Sequence, residues 1–225
     1  MKAIQVVKYG DASTSFQIAN IEEPTLTNSH DVLIKVDSSG INFADVMARR
    51  GLYRAAPPLP ADLGYEVVGE VVKVKDPINN NFLGKRVLAM TRFGGYAELA
   101  VSTTMGLQEI PKELDNGAAL ALATQYCTAH YALNVQMNLF QGDTVLIHAA
   151  SGGVGTALTQ LAKLKGCRVI GLTRSEKKVS YLNKMGVDFP IVTSNKDYVL
   201  EVQRQIGIKK VDAILTPSTP SSAFK

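Results

Sequence analysis

Thr144-Val145-Leu146-Ile147-His148-Ala149-Ala150-Ser151-Gly152-Gly153-Val154-Gly155 is the stretch whose reading decides the fold. It begins as a short apolar run of buried-strand type. It passes directly into small residues, and then into an apolar-periodic segment over 154–164 that reads as a helix. The small residues fit the pattern G-x-G-x-x-G with Ala150 in place of the first glycine. Ala150 and Gly152 let the backbone turn tightly and approach a pyrophosphate. Gly155 lets the helix pack close to the strand. Phosphates placed there meet unpaired N–H groups and the positive end of the helix dipole. The strand before and the helix after are the context that such a pattern needs. Ser151, Gly152, Gly153, Val154 and Gly155 are therefore the expected dinucleotide-binding residues. A tight strand–helix turn that holds no ligand is the alternative.

Downstream, strands alternate with helices. A strand is expected over 168–172, a helix over 176–185 and a short strand near Ile191. A helix over 196–206 and a strand over 211–215 follow. Such alternation means βαβ units and a parallel sheet of Rossmann type. The end of the second strand selects the dinucleotide. NAD-binding domains usually place Asp or Glu there to meet the ribose hydroxyls. This chain has Leu172-Thr173-Arg174-Ser175-Glu176-Lys177-Lys178. Arg174 can form a bidentate pair with a 2′-phosphate, and Ser175 and Lys178 can add donors. Glu176 lies just inside the next helix, where it serves the helix N-terminus. The cofactor implied is NADPH rather than NADH. A solvated basic turn is the alternative.

Upstream, the period changes. Helices are expected over 115–122 and 125–139, and the boundary falls between a domain of residues 1–122 and one of residues 123–225. The first domain reads as mostly β, with strands at 4–7, 32–36, 67–74, 86–90 and 96–101 between turn signals. Residues 66–75 alternate poorly and contain Gly69, which points to a bent strand. One helix is expected over 43–50, stopped by Gly51. The stretch Ala55-Ala56-Pro57-Pro58-Leu59-Pro60 must be loop.

Composition excludes several function classes. Hydrophobic residues at 46% and charged residues at 20% suit a folded globular chain. A net charge of +4 is spread without a continuous basic face, so nucleic acid is not an expected partner. No run of about 20 apolar residues is present, so no transmembrane helix is expected. Cys127 and Cys167 lack tight spacing, fit a reducing cytoplasm, and read as inert buried thiols. His130 and His148 read as packed or capping histidines.

Two segments together carry a resemblance: Gly40-Ile41-Asn42-Phe43-Ala44-Asp45 and Ala149-Ala150-Ser151-Gly152-Gly153-Val154-Gly155. The chain resembles the quinone oxidoreductase (zeta-crystallin-like) branch of the medium-chain dehydrogenase/reductases. The stretch from Asn42 through Met47-Ala48-Arg49-Arg50-Gly51-Leu52-Tyr53 to Pro57-Pro58-Leu59-Pro60 looks most like the vesicle amine transport protein homologues within it. The resemblance implies a GroES-like catalytic domain followed by a Rossmann domain. It implies that Asn42 and Tyr53 line the nicotinamide and substrate cleft, and that Thr128 and Thr193 contact the cofactor. Zinc-dependent relatives carry a Cys after the glycine of the first segment and a Gly-His-Glu further on. Here those positions hold Asn42 and Gly64-Tyr65-Glu66, and no cysteine precedes Cys127, so no zinc site is expected. A quinone or an α,β-unsaturated ketone accepts a hydride without a metal if a hydrogen bond stabilises the oxyanion.

The resemblance also implies a longer chain. After Leu215 the relatives continue into the second half of the Rossmann sheet, whereas this sequence reads Thr216-Pro217-Ser218-Thr219-Pro220 and stops at Lys225. An open sheet edge follows, and with it the expectation of a homo-oligomer. Two functions stay open: an NADPH-dependent quinone or enone reductase, and a non-catalytic nucleotide-binding scaffold that acts through association.

Overall fold

The structure, a computed structural model, describes residues 1–193, 198–207 and 210–216. The expected helix start at 196 and the end of the chain from 217 lie outside the described residues. The chain divides into two compact units, Met1–Thr124 and Gln125–Lys225.

The first unit runs β1 (Lys2–Val6), α1 (Ala12–Ser15), β2 (Phe16–Asn20), β3 (Asp31–Ser39), α2 (Phe43–Arg49), β4 (Ala61–Asp62), β5 (Glu66–Val74), β6 (Arg86–Met90), β7 (Leu99–Thr103), β8 (Leu107–Glu109) and α3 (Asn116–Leu122). A 3₁₀ segment, Pro77–Phe82, separates β5 from β6. The main sheet has the order β7-β3-β5-β6-β8, and a smaller one the order β2-β1-β4. All the pairings are antiparallel. Val32, Ile34, Val67, Val71, Val87, Ala89 and Ala100 form the core of the main sheet.

β5 explains its own weak alternation. Val67 and Val71 face that core, whereas Val68 packs with Ile110, Ala119 and Leu120. A strand covered on both faces loses the in–out pattern. The expected bend takes the form of two register irregularities against β3, at Leu33/Ile34 and Val36/Ser38. Gly69 serves close approach, because a Cβ there would meet the Lys35 carbonyl oxygen at 2.1 Å. The strand expected over 96–101 is displaced to Leu99–Thr103. Tyr96 and Ala97 face β1 instead, with Ile4 N donating to Tyr96 O at 2.8 Å and Ala3 bridging Ala97.

The second unit contains α4 (Thr124–Tyr131), whose first residue belongs to the preceding unit, β9 (Thr144–Ile147), α5 (Gly153–Leu164), β10 (Arg168–Thr173), α6 (Val179–Lys184), β11 (Phe189–Val192), α7 (Tyr198–Ile206) and β12 (Ala213–Leu215). The sheet is parallel with the order β11-β10-β9-β12. The chain steps outward from β9 to β10 and β11, then crosses to the other side of β9. The C-terminal ends of β9 and β12 are thus a topological switch point, where α/β sheets open a ligand crevice. Val145, Ile147, Ala157, Leu158, Ala162, Val169 and Leu182 build one face of the core. Leu146, Ile170, Leu172, Ile191 and Val202 build the other. α4 is shorter than expected: it widens into a π-helical segment over Ala132–Gln136 and leaves helical geometry at Met137. Asn134 and Val135 are weak helix formers at that point. The helix expected over 176–185 begins as a 3₁₀ turn at Glu176–Lys178.

Candidate functional site

The glycine-rich turn sits at the C-terminal end of β9. Ala149 takes a positive φ of 50°, and Ala150 N donates to Leu172 O at 3.1 Å, tying the turn to β10. Gly155 is needed for space. A Cβ there would lie 2.3 Å from the Ala149 carbonyl oxygen and 2.7 Å from the Ala150 Cα. At Gly153 a Cβ would press on the Gln125 carboxamide at 2.5 Å, whereas at Gly152 it would stand 3.2 Å from Ala149 O. Gly152 is the N-cap of the 12-residue helix α5, and no side chain caps it. Gly152 has no side chain with which to cap the first N–H groups of α5, which suits an anion-binding helix start.

The neighbouring strand ends complete one rim. Arg174 and Lys178 are exposed and Ser175 is half-buried. Among the described residues, the salt bridges engage Lys85, Lys163 and Arg204, not Arg174 or Lys178. Thr193 follows β11, and its N–H donates to Thr173 O at 2.9 Å, beside Arg174. Thr128 lies one turn along α4 from Gln125 and is exposed. His148 packs edge-on against Tyr198 with ring centroids 4.6 Å apart, and burial pushes its pKa down. It is a packed, neutral histidine, as expected. The reading of both cysteines as buried holds for Cys167 but not for Cys127, which is exposed. Cys127 shares the solvent face of α4 with Thr128 and His130, and the helix turns Ala129 inward.

Asn42 and Tyr53 belong to the first unit, in a cluster where sequence reading found only part of the membership. Asn42, Asp45 and Glu66 are 8%, 3% and 2% exposed, so their polar groups must be satisfied internally. Asn42 Nδ2 donates to Glu66 Oε1 at 2.8 Å and Oε2 at 3.0 Å, and Thr124 Oγ1 donates to Glu66 Oε2. Asp45 accepts from the N–H of Asn42 at 2.8 Å, the N–H of Gly64 at 3.2 Å and the Tyr96 hydroxyl. Burial pushes both carboxyls above the usual range, and the nearby Asp45 charge adds to the rise at Glu66. Gly40 makes room for this arrangement, since a Cβ there would fall 1.8 Å from Glu66 Oε1. Tyr53 is half-buried and meets Tyr65 edge-on at 6.2 Å, and Tyr65 meets Phe93 at 5.2 Å. The Tyr65 hydroxyl is buried, and burial together with the neighbouring Tyr53 hydroxyl raises its pKa. Asp45, Tyr65, Phe93, Tyr96 and Thr124 were not foreseen. The one local signal was Asp45 at the third position after Asn42, the spacing of a reciprocal cap.

Comparison with known proteins matches residues 28–137 to the alcohol dehydrogenase GroES-like domain and residues 153–225 to the zinc-binding dehydrogenase family. The chain is 33% identical over 216 residues to rat quinone oxidoreductase, covering 96% of this chain and 65% of that one. It is 35% identical over 203 residues to the human synaptic vesicle membrane protein VAT-1 homolog, covering 90% and 51%. It superposes on Escherichia coli quinone oxidoreductase complexed with NADPH with a TM-score of 0.84 and 28% identity, covering 94% of this chain and 64% of that one. The chain thus spans about half to two thirds of these relatives. A mostly antiparallel GroES-like unit that holds Asn42, joined to a parallel Rossmann unit with its glycine turn at the switch point, places the chain in the quinone oxidoreductase branch of the medium-chain dehydrogenase/reductases.

Proposed function

We propose that the chain is the NADPH-binding and substrate-binding part of a zinc-independent reductase acting on a quinone or an α,β-unsaturated ketone. The observation that carries this reading is the rim at the ends of β9 and β10. An uncapped helix start stands beside exposed Arg174 and Lys178, with no carboxylate on the residue that ends β10. Gly152, Gly153 and Gly155 admit the pyrophosphate, with Ser151 and Val154 in the same turn. Arg174, Ser175 and Lys178 meet the 2′-phosphate, and Thr128 and Thr193 contact the cofactor further along. The NADPH complex of the Escherichia coli relative supports the same cofactor here.

When bound, a reduced nicotinamide supplies the hydride. The protein's own part is to orient and to stabilise charge. Tyr53 and Asn42 donate hydrogen bonds to the substrate oxygen on which negative charge develops. The Tyr53, Tyr65 and Phe93 rings offer apolar faces to a flat electrophile. A catalytic zinc does not fit these residues. The Asn42 amide is engaged with Glu66, and position 65 carries a phenol. Among the described residues no three His, Cys, Asp or Glu side chains stand together as a metal set. Two free cysteines fit the reducing cytoplasm as the compartment. Among the described residues no helix is long and apolar enough to cross a membrane.

The test is NADPH absorbance followed with 1,2- and 1,4-quinones. Turnover above the uncatalysed rate is expected. Binding of NADPH without turnover would favour a nucleotide-binding scaffold instead, a second reading that the similarity to the VAT-1 homolog supports.

A further inference from the structure

Asp62 carries a carboxylate for which the first unit supplies no partner. Its backbone is held on two sides: Asp62 pairs with Gln5 of β1, and Gly94 N donates to Asp62 O at 3.1 Å. Ala61 and Leu63 turn into the core, so alternation along β4 sends the Asp62 side chain the other way. There its Oδ1 is buried and meets no donor. The Thr91 hydroxyl is committed to Gly64 O at 2.8 Å. Among the described residues no salt bridge reaches Asp62. A buried carboxylate oxygen without a donor is costly, and native structures leave few of them.

Asp62 lines a cavity of about 350 Å³ whose walls lie within the first unit. Pro24, Phe93, Leu99 and Val101 give it an apolar lining, and Glu22 adds a second carboxylate. The Met1 ammonium also stands in the wall, where it donates to Ile21 O at 2.8 Å. Among the described residues no lysine, arginine or histidine lines the cavity. Two carboxylates against one ammonium leave it negative. Pockets for small molecules run from about 300 to 1,000 Å³, with apolar walls and a few polar groups that fix orientation. This cavity has that size and that make-up. What it lacks is a charged donor for Asp62, and what its walls can cover is an apolar body.

We propose that the cavity is a binding site for a small organic cation, a primary ammonium on an apolar body. The ammonium donates to the Asp62 carboxylate, and the body packs on Phe93, Leu99 and Val101. The site is separate from the glycine turn and needs no reductase activity. It shares one wall with the substrate-side residues, because the Phe93 ring also meets Tyr65 at 5.2 Å. An occupant therefore bears on the ring row that runs from Phe93 through Tyr65 to Tyr53.

The full chain, labelled with ¹³C-phenylalanine, gives a readout that needs no turnover. It is titrated near neutral pH with benzylamine, which is then a cation, and with benzyl alcohol, its neutral counterpart. The Phe93 ring signals, identified by their loss in Phe93→Leu, should move as benzylamine is added. Benzyl alcohol should bind about tenfold more weakly or worse, the worth of one charge-assisted hydrogen bond. Asp62→Asn should lose a similar factor for benzylamine and little for benzyl alcohol. Glu22→Gln should lose only about twofold, because Glu22 is exposed and its charge is screened. Phe93 signals that stay fixed at about 10 mM benzylamine would overturn the proposal. So would equal affinity for the amine and the alcohol, or an Asp62→Asn protein that holds benzylamine as tightly as wild type. The comparison of amine with alcohol uses the wild-type chain, so it decides the role of charge even if Asp62→Asn does not fold. A chain that reduces no quinone leaves each of these readouts in place.

Discussion

The glycine turn of the second unit and the polar cluster of the first are built in opposite ways. The turn is made of backbone. Its residues are neighbours in sequence, and the local need is plain at 155, where only glycine leaves space beside Ala149 O. The cluster is made of side chains from positions 42, 45, 66, 96 and 124, drawn together by the sheet. A site made of backbone tolerates added atoms poorly wherever the backbone packs on itself, as at Gly155. A site made of side chains tolerates changes of shape better than changes of protonation.

That contrast can be broken by substitution. The largest effect is expected at Gly155. Gly155→Val drives side-chain atoms into the turn and should weaken NADPH binding about a hundredfold, an amount that a cost of about 2.7 kcal/mol would produce. Gly152→Ala, with 3.2 Å to the nearest atom, should cost much less. Fluorescence titration of both variants decides it, and equal losses would mean that the turn is not held by packing.

Next in size is Arg174→Ala. NADPH affinity should fall about tenfold or more, because one charge-assisted pair contributes about 1.5–3 kcal/mol. NADH affinity should stay where it was. An unaltered preference for NADPH would move the 2′-phosphate site away from the end of β10.

A smaller effect reaches the first unit through pH. Burial raises the carboxyls of Asp45 and Glu66, so the folded state holds protons that the unfolded chain has released. Stability from these groups is therefore full at low pH and declines as pH rises from the ordinary carboxylate range to the raised one. Urea unfolding of wild type and Glu66→Gln at several pH values should show a shallower decline in the variant. A steeper one would reverse the sign of the argument.

The smallest effect expected is none. Chelator treatment should leave quinone reduction unchanged, and metal analysis should find no stoichiometric zinc. One zinc per chain would require a ligand set that the described residues do not supply.

The same contrast explains what could be read from the sequence. The parallel sheet was legible because strands buried on both faces, such as Val145-Leu146-Ile147, carry unbroken apolar runs between helical periods. β2 was not legible. Phe16 and Ile18 are exposed, and pairing with β1 rather than burial makes Phe16–Asn20 a strand. β4 and β8 are too short to show a period. Asn42 and Tyr53 were reached only through resemblance. Glu66 was noticed for not completing a zinc motif, and its partner Thr124 lies 58 residues away with no local sign of the contact.

Gly40 and Glu66 have a consequence for how this site can change over generations. The space that a Cβ at 40 would need is the space Oε1 occupies, 1.8 Å from it. The two positions cannot drift independently. Replacement of Gly40 first forces the Glu66 carboxyl out of its hydrogen bonds, whereas shortening of Glu66 first opens the way. The order of mutations is constrained even where both end states fold. Gly40→Ala should therefore be harmful in the native background and far milder beside Glu66→Ser, a coupling that a double-mutant cycle would measure directly.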